Sequence, residues 1–216
     1  MEQVASALKD ARAEASANPF WEDPKLEKER LASVHEQCLR GGGENMLFFV
    51  LTTNDLDCVT YTFNSKADKT DEYVKVEWLI CDPVSIKMCE KSLPAGYRKD
   101  DAGNFRKPLT FAQEPFLGVT METETDDSGE DVIVAHMNVV ESESLEKPLS
   151  MQVVNAGEQV ICVMNLKGKP CRVDHVYVQM MKGIAPDVEF LRFTGTSMEA
   201  PFEEVEQVFE KPRALG

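Results

Sequence analysis

The sequence predicts a mainly β protein: an antiparallel β-sandwich or barrel-like domain of about eight or nine strands, with an N-terminal helical arm. Three observations predict it. From residue 46 onward, apolar residues recur at every second position, the period of a strand with one buried face. Turn residues interrupt this pattern at short intervals. The chain has 216 residues, 43% of them hydrophobic, which is enough for a sizeable core.

Residues 1–43 are predicted to form the helical arm and its linker, and residues 44–216 the antiparallel β domain. Apolar residues share one helical face in residues 1–17, and a second helix is expected to start at Asp23-Pro24 and to end near Gly41. His35 borders the apolar stripe of that helix. Gly41-Gly42-Gly43 reads as the linker.

Nine runs are predicted to be strands. The period-two pattern is clearest where Val74, Val76, Trp78 and Ile80 face one way. Residues 82–112 look irregular, and Phe202–Phe209 is ambiguous between strand and helix. The nine runs are Met46–Thr53, Asp57–Asn64, Tyr73–Ile80, Phe116–Glu124, Asp131–Val140, Leu149–Val154, Gln159–Lys167, Cys171–Met181 and Val188–Thr196.

The formal net charge of −15 bears on partners and location. A surface this acidic repels phosphate backbones and anionic membranes, so neither nucleic acid nor a membrane is expected as a partner. No apolar run is long enough to span a bilayer, and residues 1–17 lack the apolar centre of a signal peptide. We therefore expect a cytoplasmic protein with a possible protein partner. Its oligomeric state stays open.

No metal site is expected from the residues that bind soft metals. The chain has three histidines and six cysteines, and their spacings match neither a zinc finger nor a zinc ribbon. His136 and His175 would meet only if their strands pair. The cysteines are predicted to be buried free thiols; they are Cys38, Cys58, Cys81, Cys89, Cys162 and Cys171.

Residues 122–131 hold six acids in ten positions, which raises the question of calcium. The alternating oxygen ligands and terminal glutamate of an EF-hand loop are absent. We therefore expect a solvated hairpin tip.

No catalytic or cofactor-binding residue is predicted. The chain lacks a nucleophile elbow, and Asp174 and His175 are strand neighbours that face opposite sides. Gly41-Gly42-Gly43 and the basic turn Lys167-Gly168-Lys169-Pro170 both lack the context of a phosphate-binding loop.

Short stretches of the β region resemble an uncharacterised all-β family of unknown function, found in bacterial and protist chains. The resemblance covers about residues 45–196; the arm and the acidic segment 122–131 have no counterpart in it. It implies a β fold and no activity. The stretches are Asn45–Val50, Val59–Tyr61, Val76–Ile80, Pro108–Glu114, Phe116–Val119, Lys167–Lys169, Val173–Val178, Pro186–Leu191 and Thr194-Gly195.

Three functions remain open. The leading hypothesis is a non-enzymatic binding module that presents loops or a sheet face to a protein, with the arm docked on its own domain or on that partner. The alternative is a carrier of a small apolar ligand in a barrel-like cavity. The third is a hydrolase using a cysteine or a histidine. Ten methionines, two of them adjacent at Met180-Met181, suit either core packing or an adaptable binding surface.

Overall fold

The computed structural model describes residues 25, 29–30, 32–34, 36–37, 45–52, 55–69, 72–125, 129, 131–137, 150–156, 159–180 and 188–210. The described part of the chain is mainly β, with 56% strand, and includes two short helices after residue 45 in addition to helical residues between 25 and 37. The helices are α1 (Pro83–Lys91) and α2 (Glu114–Leu117). The strands are β1 (Met46–Thr52), β2 (Cys58–Phe63), β3 (Val74–Leu79), β4 (Arg98–Lys99), β5 (Phe105–Pro108), β6 (Val119–Thr125), β7 (Asp131–Met137), β8 (Ser150–Ala156), β9 (Gln159–Leu166), β10 (Lys169–Met180), β11 (Val188–Ser197) and β12 (Glu204–Glu210).

All twelve strands belong to one open sheet, in the order β4-β5-β3-β2-β1-β10-β9-β8-β7-β6, with β11 and β12 branching from β10. The branch exists because β10 is long. Its first residues, Lys169–Arg172, pair with β9, and residues His175–Val178 pair with β1, while β11 runs along its other edge.

The predicted architecture needs three corrections. Twelve strands replace the expected eight or nine, because β4 and β5 lie in the segment read as irregular and the ambiguous tail forms β12. The sheet is not closed, so no barrel forms, and the structure does not divide it into a sandwich. The sheet is also not purely antiparallel: β1 and β10, far apart in sequence, pair in parallel.

The sheet curls around one large apolar core. Strands from both ends of the strand order contribute to it, including Tyr61 of β2, Trp78 of β3 and Met151 of β8, and Val119 of β6 packs against its margin. The predicted alternation holds here: Val59 and Tyr61 face this core, whereas Cys58 belongs to a cluster on the opposite face.

The opposite, outer face of the sheet carries a second apolar cluster. Phe49, Leu51, Leu79 and Tyr177 form it together with Cys58, and Val34 packs into it with 2% of its surface exposed. The described residues between 25 and 37 are helical. A helical segment of the predicted arm therefore contacts the sheet. The division of the chain at residue 43 stays a prediction.

Helix α1 interrupts the segment predicted to be irregular. The Asp82 side chain accepts hydrogen bonds from the backbone N–H groups of Val84 and Ser85, and Pro83 occupies the first turn. The helix buries Cys89 beside Ile80 and Phe105. In the described part of the chain, no helix is long and apolar enough to cross a membrane.

Candidate functional site

The two ends of the curled sheet leave a gap between β3 and β6, which we call the seam. Strand β5 pairs with β3 only at Glu77–Leu79, so the earlier part of β3, Val74–Val76, has β2 alone as its partner. Strand β6 pairs with β7 along its whole length. No other strand in the described part of the chain pairs with β6. The seam is therefore bordered by two strand edges.

An open groove of about 360 Å³ lies at the seam. Its walls come from both sides of the gap and combine apolar side chains with polar surface, and three of its apolar residues also pack against the margin of the main core: Val76, Leu109 and Val119. Glu114 brings an acidic group to one wall. The lining residues are Val76, Pro108, Leu109, Glu114, Gly118 and Val119.

Hydrogen bonds hold the short connection between β5 and β6 in place. The Trp78 indole N–H donates to Oε1 of Gln113 at 3.2 Å, and the same oxygen accepts the Thr110 backbone N–H at 3.0 Å. Across the seam, the buried Tyr61 hydroxyl donates to the Leu117 carbonyl at 2.6 Å. Burial raises the pKa of Tyr61, so this hydroxyl stays protonated and remains a donor. These hydrogen bonds fix the position of the segment that lines one side of the groove.

Two exposed side chains of β6 are acidic, and its other exposed side chains are threonines. Glu122 and Glu124 lie on the same face of the strand, with 59% and 54% of their side chains exposed, and His136 of β7 lies between them. Its Nε2 is 3.6 Å from a Glu122 oxygen and 3.8 Å from a Glu124 oxygen. The described residues provide no Lys or Arg within ion-pair distance of either carboxylate. The edge of β6 is therefore negatively charged.

The same three side chains could hold a divalent cation. One ligand atom from each of Glu122, Glu124 and His136 lies within 4.8 Å of the others, and imidazole nitrogen with carboxylate oxygen suits zinc and similar metals. This set was not predicted from the sequence, because only the pairing of β6 with β7 brings His136 to the two glutamates. Polar contacts between the His136 ring and the two carboxylates also account for the arrangement without a metal ion.

The structure separates the residues that were considered for catalysis. His136 pairs with Thr120 and Ser150, whereas His175 lies on β10 and stacks on Phe49 with ring centroids 5.5 Å apart. Asp174 contacts Arg172 and accepts a hydrogen bond from the Thr196 hydroxyl. His35 lies outside the described residues.

The described cysteines carry no disulfide, as predicted, and Cys38 lies outside the described residues. Cys58, Cys89, Cys162 and Cys171 are buried, and Cys81 is partly exposed. Burial raises the pKa of Cys89, Cys162 and Cys171. A raised pKa lowers the fraction of thiolate, which is the nucleophilic form, so these three thiols are unsuited to attack a substrate.

A cluster of buried charges joins β5 to the turn that follows β4, with Thr60 of β2 beside it. Arg106 is 2% exposed, donates to Asp100 at 2.8 Å and to the Thr60 hydroxyl at 2.8 Å. Burial alone would raise the pKa of Asp100, but hydrogen bonds from Arg106 and Asn104 outweigh it and leave the pKa below its usual value. Because each charge is paired inside the fold, we interpret this cluster as structural.

Comparison with known proteins identifies a family for this chain but does not identify an activity. A search of curated proteins found no match, and a search of solved structures found none. A family described as "Domain of unknown function (DUF4833)" matches residues 48–207. The match begins in β1 and ends in β12, so it spans the whole sheet. The chain therefore belongs to this family of unknown function.

Proposed function

We propose that the chain is a non-enzymatic module that binds another protein, and that the groove at the seam is the binding surface. The observation that carries the proposal is the open end of the sheet: apolar residues of β3 and β6 border a groove beside a strand that, among the described residues, pairs on one side only. Exposed strand edges and apolar grooves are recurrent sites of peptide recognition.

Two further observations support binding over catalysis. Burial raises the pKa of the Cys89, Cys162 and Cys171 thiols, which makes them poor nucleophiles, and His136 and His175 lie on different strands. The walls of the groove offer side chains that bury apolar surface, with Glu114 as the one acidic group. Such a lining suits the contact of a protein segment more than the activation of a bond.

A small apolar ligand is the second candidate, because the groove volume is within the range of ligand pockets. The interior of the curled sheet argues against a carrier that encloses its ligand. It is filled by side chains such as Phe48, Met151, Leu166 and Phe193, all of which are almost fully buried. The groove at the seam opens to the surface instead.

A selection of displayed random peptides on the immobilised full chain tests the proposal. We expect peptides that bind the wild-type chain and lose most of their binding to Val119→Asp and Leu109→Asn, which place polar groups in the groove. Val208→Asp is the matched control, because Val208 is a partly exposed valine on the other edge strand, β12.

Thermal melts and circular dichroism of each variant confirm that it is folded. A selection that yields no binder, or binders that Val119→Asp and Leu109→Asn retain, would contradict the proposal. Native mass spectrometry separates the carrier alternative: a small-molecule adduct on the wild-type chain that is absent from Val119→Asp would favour it.

A further inference from the structure

We infer that the partner contributes an extended, basic segment that adds to the sheet as a thirteenth strand along the free edge of β6. This inference rests on the proposed function and names the chemistry of its partner. Three features of the seam support it: the backbone edge, the pattern of side chains along that edge, and the charge.

The backbone edge supplies hydrogen-bonding groups. In the described part of the chain, Val119–Glu124 pairs with β7 on one side only, and β3 comes within 8 Å of part of β6 across the seam. Every second residue of a strand directs its N–H and C=O groups to the same edge, so half of these residues present both groups to the seam. An unpaired edge of this kind is a template for another strand.

Apolar and acidic side chains of β6 lie on opposite faces of the strand, and the remaining side chains are three exposed threonines. Val119 and Met121 face the core side of the sheet and are partly buried, and Val119 lines the groove. Glu122 and Glu124 face the other side and are exposed. A strand added beside β6 has the same alternation, so it would place apolar residues toward the groove and cationic residues beside the two glutamates.

The charge also argues against a second copy of this chain as the partner that pairs with β6. Pairing two β6 edges would place exposed glutamates near one another, and like charges on neighbouring strands are destabilising. The whole chain carries a net charge of −15, which adds to the repulsion between copies. A basic segment has the opposite charge and is attracted to the same edge.

A defined peptide tests the inference. The probe is a fluorescein-labelled (Lys-Val)₃-Lys peptide, whose residues alternate as the edge requires, and its binding to the full chain is measured by fluorescence anisotropy at low and at physiological salt. We expect saturable binding that Glu122→Gln combined with Glu124→Gln weakens by roughly tenfold, since each cross-strand charge pair contributes a modest part.

Glu204→Gln combined with Glu206→Gln is the matched control, because these exposed glutamates have the same spacing on edge strand β12. This double variant should bind the probe as the wild-type chain does. A peptide of the same composition in the order Val-Val-Val-Lys-Lys-Lys-Lys should bind at least about tenfold more weakly, because it lacks the alternation.

N-methylation of the probe tests the backbone pairing directly. Methyl groups on the backbone nitrogens of all lysines block one edge of the peptide. Methyl groups on the backbone nitrogens of all valines block the other edge. Strand addition predicts that one methylated peptide loses binding and the other retains it. Equal binding of the two methylated peptides would overturn the inference, and so would equal binding of the reordered and the alternating peptide. A dimer of this chain, detected by sedimentation, that pairs through the edge of β6 would also overturn it.

The two proposals can fail separately. Selected peptides that require Val119 but lack basic residues or an extended backbone would sustain the binding function and overturn this inference. Loss of all peptide binding to the groove would overturn both.

Discussion

At the scale of single residues, the most constrained group is Arg106 in β5. Its guanidinium is buried against Asp100, which in turn accepts backbone N–H groups of Ala102 and Asn104. A buried charge with its partner removed is strongly unfavourable, whereas an exposed ion pair contributes little. Position 106 should therefore tolerate substitution far less than an exposed arginine.

We predict that Arg106→Met lowers the free energy of unfolding by about 3–5 kcal/mol at pH 7, because it leaves the Asp100 carboxylate without its cation. Chemical denaturation measures the loss. Arg172→Met is the control: its ion pair with Asp174 is exposed, so about 0–1 kcal/mol is expected. Equal losses in both variants would contradict a special role for the buried pair.

The pH dependence has a defined sign. The folded-state pKa of Asp100 is lowered, so its stabilising contribution is present above the unfolded pKa and is lost as pH falls through the folded pKa. The difference in the free energy of unfolding between the wild-type chain and Arg106→Met should therefore become smaller below about pH 4.

At the scale of elements, the contact of the N-terminal helical residues with the sheet is the feature that matters most. Val34 completes an apolar cluster on the outer face. Arg30 donates a hydrogen bond to the Asp55 carbonyl, and burial lowers the pKa of its guanidinium. These contacts indicate that this part of the arm covers the sheet.

We predict that Val34→Asp lowers the free energy of unfolding by about 2 kcal/mol, since it removes a buried apolar side chain from the outer face. It should also speed the alkylation of Cys58, which mass spectrometry of labelled peptides measures. Ala32→Asp is the control, because Ala32 is exposed in the same helical segment. If the two variants have the same free energy of unfolding and the same rate of Cys58 alkylation, the helical segment does not cover the outer face of the sheet.

At the scale of the whole molecule, net charge is the dominant property. A charge of −15 on 216 residues repels itself in the compact state. Added salt screens that repulsion, since the screening length at 0.1 M is about 10 Å.

We predict that raising NaCl from about 0.01 to 0.5 M stabilises the chain by about 1 kcal/mol, which is roughly 2–4 °C in Tm for a chain of this size. The effect should shrink near the isoelectric point of about 4.7, where the net charge vanishes. A Tm that is flat or falls with salt at pH 7 would show that the attractive ion pairs outweigh the repulsion.

Much of the fold could be read from local pattern. The apolar run of β1 and the alternating residues of β2 and β3 identified each strand to within two residues, because burial of both faces favours a continuous apolar run and burial of one face imposes period two. Helix α1 was missed although its signals, Asp82 followed by Pro83, are present. Strands β4 and β5 have two and four residues, too few to show a period.

The candidate site could not be predicted in this way. The seam exists because β6 ends the strand order and β3 is only partly covered by β5, and both facts depend on which strands pair. The approach of His136 to Glu122 likewise depends on the register of β6 against β7. Neither the pairing of the strands nor their register can be recognised from residues that are close in sequence.

By itself, the sequence determined that this protein is acidic and mainly β, because charge and period are properties of neighbouring residues. Only the tertiary structure decided that β1 and β10 pair in parallel, that the sheet stays open, and that β6, with two exposed glutamates, ends the strand order of the described residues. The physical reason is that strand order and closure are set by contacts between residues far apart in the chain, which local pattern does not encode.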